Sequence, residues 1–267
     1  MKNEWLLHIQ SVGSESNPPL LLIHGFMEDM EMWTSYLPLL SENHFVLMID
    51  LPGHGKSKLD SSQIPSISSI ANLVIETIEP FALQNSEIIG HSLGGYVGLE
   101  LMKQDSRFSH LTLLHSHPWA DSDEKKKDRD RVAQFVETKS ELFIQEAIPH
   151  LFAHSNQHET AIQRYIECAK KMTPSAISWS TIAMRDRSDL ECLILENPEK
   201  FTLIQGEHDV LIPNERTGSF AALNNIEYIE IQDCGHMSHE EKPVELKAVF
   251  RKLYSNKLNV NRIKTIT

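Results

Sequence analysis

The stretch Ile88-Ile89-Gly90-His91-Ser92-Leu93-Gly94-Gly95 constrains the fold of this chain more than any other. A Gly-x-Ser-x-Gly pentapeptide here directly follows an apolar run and opens a segment of helical period, which is the context of a nucleophile elbow. Such an elbow is a sharp strand-to-helix turn that exposes the serine hydroxyl. Its backbone is strained and its helix packs closely, so a Cβ at Gly90 or Gly94 would obstruct it. Ser92 is thereby the candidate nucleophile. A Gly/Ser turn at an ordinary helix N-cap has the same local sequence, so the rest of the chain has to discriminate between the two.

An elbow needs a strand feeding a helix, and the chain supplies that alternation throughout. Leu20 to His24, Phe45 to Asp50, Glu87 to His91, Leu111 to His115, Phe201 to Gln205 and Tyr228 to Ile231 read as strands. Ile67 to Phe81, Gly95 to Gln104, Asn214 to Leu223 and Val244 to Tyr254 carry apolar residues at spacings of three and four and read as amphipathic helices. The pattern predicts a mostly parallel α/β sheet covered by helices on both faces. From about Trp119 to Leu195 the rhythm breaks. Stripes at Val132, Phe135 and Val136, at Leu142, Phe143 and Ala147, and at Ile162, Tyr165, Ile166 and Ala169 are helical, and no strand is evident. The expected division is a core of residues 1–117 and 196–255, a helical insertion of residues 118–195, and a polar tail of residues 256–267 that frays. The mixed-sign run from Asp121 to Arg131 reads as a solvated helix face.

With 267 residues the chain can bury about three quarters of its unfolded surface in one large α/β domain. The balance of 25 basic against 37 acidic residues, a net charge of -12, repels phosphate backbones and anionic lipid, so neither a nucleic acid nor a membrane partner is expected. Cys168, Cys192 and Cys234 are odd in number, far apart and without C-x-x-C spacing, which suggests buried thiols rather than a disulfide framework or a zinc site. Met1-Lys2-Asn3-Glu4-Trp5 carries an early acid and no apolar stretch of signal-peptide length, and no apolar run could span a bilayer. The expectation is a cytoplasmic protein.

A serine nucleophile needs a base, and the base an orienting acid. After an elbow the expected order is Ser, then Asp or Glu, then His. Asp209 follows the strand ending at Gln205, and His236 follows the one ending at Ile231, so both sit in loops at the sheet's carboxyl edge, where α/β proteins build sites. Glu207 competes with Asp209, but the apolar Val210-Leu211-Ile212 holds Asp209 at the turn and leaves Glu207 the more solvated. Asp50 precedes Ser92 and would break the order. His239, beside Glu240-Glu241, reads as the start of a surface helix. His150, His154 and His158 recur at helical spacing, but Ser155-Asn156 interrupts the helix and no carboxylate completes a metal site. His115 and His117 follow a strand end, where packing or hydrogen bonding suits them better than a place in the pocket wall.

With these residues in view, the chain resembles the α/β-hydrolase superfamily, in particular its small capped bacterial esterases and lactonase-like members, from about Leu20 to Tyr254. The likeness rests on the elbow, His24-Gly25-Phe26, Trp33, Asp50-Leu51-Pro52-Gly53-His54-Gly55-Lys56-Ser57, Gly235-His236 and Glu241-Lys242-Pro243. Ala183 to Asp189 also looks like cap segments of that group. The resemblance implies an α/β-hydrolase fold with a helical cap inserted after the family's sixth strand, and an oxyanion hole made by the backbone N–H groups of Phe26 and Leu93. A helix that opens at Leu93 suits the second donor, because its free N–H groups favour a developing alkoxide. The expected function is a serine hydrolase on a small-molecule carboxylic ester or lactone, with Ser92 as nucleophile, His236 as base and Asp209 as orienting acid, and no metal or organic cofactor. Phe26, Met27, Trp119, Leu211 and Met237 are expected to line an apolar acyl pocket for a small or medium group. Related enzymes use the same triad for carbon–carbon hydrolysis, perhydrolysis or lyase chemistry, and some relatives are slow-turnover ligand sensors. The sequence leaves these readings and the oligomeric state open.

Overall fold

The computed structural model describes residues 7–212 and 214–255. The tail of residues 256–267 lies outside the described residues. Seven strands, β1 Ile9–Val12, β2 Pro19–Ile23, β3 Phe45–Ile49, β4 Ser86–His91, β5 Phe108–Leu114, β6 Phe201–Gly206 and β7 Glu227–Ile231, form one sheet in the order β1-β3-β2-β4-β5-β6-β7. All neighbours run parallel except β1, which pairs antiparallel with β3. The sequence reading missed β1. Its Ile-Gln-Ser-Val is short and mostly exposed, so it lacks the apolar run that marks the buried strands.

Alternation along the strands explains the two cores. Leu21, Ile23, Leu47, Ile49, Ile88, Leu111 and Leu203 face one way, against α2 Ile67–Ile78 and α3 Leu93–Gln104. Leu20, Leu22, Val46, Met48, Ile89 and Ile204 face the other, against Trp33, Tyr36, α1 Leu37–Leu40 and α10 Pro243–Tyr254. Side chains of period two thus supply both faces, and the central strands β2 to β6 are buried on both, while the edge strands β1 and β7 are partly exposed.

Between β5 and β6 the chain is helical: α4 Asp123–Ala147, α5 Glu159–Ala169, α6 Pro174–Arg185 and α7 Glu191–Glu196. A third apolar cluster joins Val136, Ile144, Ile162, Ile166 and Ile177 from this segment to Met27 and Met237, which stand in loops at the sheet's carboxyl edge. The expected stripe along α4 is corrected by a kink at Lys139 (φ -138°, ψ 38°). Phe135, ahead of the kink, is exposed beside the buried Val136; past the kink the helical phase is reset, so Leu142 is exposed while Ile144 and Ile148 are buried. The thiols also differ from expectation. Cys234 is buried and Cys168 half-buried, but Cys192 on α7 is exposed. Two helices complete the order, α8 Asn214–Leu223 and the short α9 Ser238–Glu241. Among the described residues, no helix is long and apolar enough to cross a membrane.

Candidate active site

Register brings the site together. Ile23 lies opposite Gly90, His91 opposite Leu114, and Leu114 opposite Ile204, so the loops after β2, β4, β5 and β6 leave the sheet at one edge. Ser92 links β4 to α3 with φ 50° and ψ -111°, a backbone conformation that non-glycine residues rarely adopt. Its N–H donates to the Leu114 carbonyl at 2.9 Å, and Ser116 Oγ donates to its carbonyl at 2.8 Å. A Cβ on Gly90 would stand 2.4 Å from the Gly94 carbonyl oxygen, and one on Gly94 would stand 2.3 Å from that of Ile23. Only glycines allow this approach of helix to sheet.

Ser92 and His236 both line one cavity of about 320 Å³ at this edge. His236 donates its Nδ1–H to Asp209 Oδ2 at 2.7 Å. The same oxygen accepts from His115 Nδ1 at 3.0 Å and Gln205 Nε2 at 2.8 Å, while Oδ1 accepts from the N–H groups of Leu211 and Ile212 at 2.9 and 3.1 Å. Burial by itself would raise the Asp209 carboxyl; the His236 ring and the hydrogen bonds from both histidines outweigh it and hold the group far below the carboxylate range. With Nδ1–H committed to Asp209, the other ring nitrogen of His236 carries a free lone pair. Glu207 is exposed and accepts instead from the Asp233 N–H at 2.8 Å. Asp50 is occupied by His8 Nδ1 and by the N–H groups of Met30 and Lys56.

Four more buried groups surround this triplet. Burial pushes His115 down to about 4, so it is neutral, with Nδ1–H on Asp209 and Nε2 accepting from Ser238 Oγ at 2.7 Å. Glu28 Oε2 accepts from the Gly25 N–H at 2.6 Å and from His91 Nδ1 at 2.9 Å, and His91 Nε2 reaches the His236 carbonyl at 3.0 Å. Both partners of the His91 ring are acceptors, so both its nitrogens are protonated and it is an imidazolium facing a carboxylate. Burial opposes both charges. Their mutual attraction prevails, lowering Glu28 to about 2 and raising His91. His239, expected on the surface, is buried instead, with Nε2 2.8 Å from the Tyr165 hydroxyl. The acids beside it misled the reading, because Glu241 turns inward and accepts from the N–H groups of Ala153, Gly235 and Met237.

The cavity wall is largely apolar and includes Phe26, Met27 and Leu211. Trp119 and Met237 do not line it. Trp119 lies between His117, stacked at 5.2 Å, and the Arg216 guanidinium at 3.8 Å, and it donates its indole N–H to Glu191. Met237 is fully buried in the apolar cluster beneath the helical segment. Leu93 is buried as the first residue of α3, so its backbone N–H stands at a helix N-terminus. The donor atoms of His115, Asp209 and His236 lie within 4.8 Å of one another, a spacing their hydrogen bonds account for. The charge run is not wholly solvated either. Asp121 is buried, and Lys125 and Arg129 line the cavity.

Residues 18–243 match the family described as alpha/beta hydrolase fold, and the chain belongs to that family. Its fold is similar to a thermophilic esterase from Thermogutta terrifontis (TM-score 0.85, 24% identity, 92% of each chain covered). It is also similar to an enol-lactonase from Burkholderia xenovorans LB400 (TM-score 0.81, 20% identity, 93% of this chain and 96% of that one). Among curated proteins, a 2-succinyl-6-hydroxy-2,4-cyclohexadiene-1-carboxylate synthase of Escherichia coli is 24% identical over 246 residues, 89% of this chain and 94% of the relative. Two further curated matches are partial: the aligned part spans 30% of an acetyltransferase component of an acetoin cleaving system from Pseudomonas putida and 41% of the uncharacterized hydrolase YugF of Bacillus subtilis.

Proposed function

We propose that this chain is a serine hydrolase that cleaves a small-molecule carboxylic ester or lactone through an acyl-enzyme on Ser92. The observation that carries the reading is Ser92, in a strained turn on the wall of an apolar cavity, sharing that cavity with a histidine whose far nitrogen is hydrogen-bonded to a buried carboxylate. Ser92 Oγ attacks the substrate carbonyl as His236 Nε2 takes the hydroxyl proton. The oxyanion that forms is received by the backbone N–H groups of Phe26 and Leu93, each worth about 10²- to 10³-fold in rate. His236 then passes its proton to the leaving alkoxide, and the same steps with water in place of serine release the acid and restore Ser92. Asp209 holds the His236 tautomer throughout. The helices of residues 118–195 act as a cap, since their apolar cluster with Met27 and Met237 seats them on the carboxyl edge.

The test is hydrolysis of a short- to medium-chain p-nitrophenyl ester series by the natural protein and by Ser92→Ala, with fluorophosphonate labelling of the serine alongside. Turnover lost by about 10⁶-fold in Ser92→Ala supports the reading. Turnover indifferent to that substitution overturns it. Labelling of Ser92 without ester turnover would move the assignment to another reaction of the same triad or to a slow ligand sensor.

A further inference from the structure

The cavity holds charge that ester cleavage does not use. Lys125, in the first turn of α4, and Arg129, one turn on, stand in the same wall system as Ser92. Arg129 is tied to Asp121, and Arg187 Nη2 holds the other oxygen of that carboxylate at 2.8 Å, so one buried acid already serves two guanidiniums. Lys125 Nζ donates to the Leu211 carbonyl at 3.4 Å, and among the described residues it makes no ion pair with a carboxylate. The remaining acid of the cavity, Glu28, is neutralised by His91. A chain of net charge -12 thus carries an excess of positive charge in its candidate pocket.

This arrangement is unfavourable without a ligand. Partial burial, together with Arg129 and Arg187, destabilises the Lys125 ammonium and lowers its pKa. A single anionic group would relieve this crowding of positive charge. Much of the remaining lining is hydrocarbon, Val132, Phe143 and Met184 included.

Resting on the hydrolase reading above for the position of the scissile bond, we propose that the substrate carries a carboxylate, separate from the ester, that docks on Lys125 with Arg129 as a neighbouring charge. The hydrocarbon between carboxylate and ester lies along the apolar wall.

The experiment measures binding apart from turnover. Monobenzyl glutarate and its neutral methyl ester are titrated calorimetrically into Ser92→Ala protein. A charge-assisted hydrogen bond predicts about ten- to hundredfold tighter binding of the acid. In the Ser92→Ala background, Lys125→Met should bring the two ligands to similar affinity, while Lys125→Arg should retain the preference. Equal affinity in Ser92→Ala, binding of neither ligand, or a preference that survives Lys125→Met overturns the proposal. Preference for the acid with no Ser92-dependent hydrolysis of either monobenzyl glutarate or the p-nitrophenyl series leaves the anion site standing and overturns the hydrolase reading instead.

Discussion

His91, the residue before the candidate nucleophile, donates one ring proton to Glu28 and the other to the backbone carbonyl of His236. The loop after β2, the elbow and the loop after β7 are thus joined through one buried imidazolium. Removing the counter-ion should expose its role. Glu28→Gln is expected to destabilise the protein at pH 6 by about 3–5 kcal/mol, the cost of stranding a buried charge. His91 is raised by Glu28, so its stabilisation is fully present below its unfolded pKa and lost as pH rises through its folded one. The difference between natural and variant protein should therefore shrink from pH 6 to pH 9 in urea titrations. A small difference independent of pH would show a neutral hydrogen bond instead.

Strain at the elbow gives a prediction of the opposite sign. A non-glycine residue at φ 50°, ψ -111° costs about 1–3 kcal/mol. Ser92→Gly removes the strain, although glycine's freer unfolded chain offsets part of the gain. Thermal melts should show Ser92→Gly at least as stable as Ser92→Ala, with ester turnover lost in both. A glycine variant clearly less stable than the alanine one would mean that the turn is not strained.

The orienting acid is separable from its neighbour by kinetics. Asp209→Asn should lower kcat by about 10⁴-fold, because the amide favours the wrong His236 tautomer. Glu207→Gln, whose carboxylate among the described residues meets the Asp233 N–H and the half-exposed His208, should stay within a few-fold of the natural protein. The reverse ranking would transfer the role to Glu207.

Buried histidines make the fold sensitive to mild acid. Burial holds His24, His117 and His239 below the ordinary imidazole range, His54 at about 3 and His115 at about 4. Once pH falls below about 6.5 the unfolded chain binds protons that the native one refuses, so stability drops with pH at about 1.4 kcal/mol per unit for each histidine. Against a typical total of about 5–15 kcal/mol, the urea midpoint should fall steeply between pH 6.5 and 5, well above carboxylate titration. His91 does not offset this loss, being protonated in both states there. A flat midpoint over that range would show that these rings are solvated.

Much of the fold was legible because its signals are local. The apolar runs of β2 to β7, the helical spacing of α2, α3, α8 and α10, and the Gly-x-Ser-x-Gly turn each lie within a few residues, where periodicity and backbone sterics act directly. The exposed β1 and the phase break at Lys139 left no such mark.

Around the site, the sequence by itself determined the strand ends from which Ser92, Asp209 and His236 project. Only the tertiary structure decided their partners: His115 on Asp209, 94 residues away, Glu28 on His91, 63 away, and Glu241 on the backbone that carries His236. Asp121 and Glu241 read as surface from their charged neighbours, because a lone carboxylate is costly to bury. What makes their burial tolerable is an opposite charge or a set of N–H donors brought from distant segments by the register of the sheet, and that pairing is absent from any short stretch of chain.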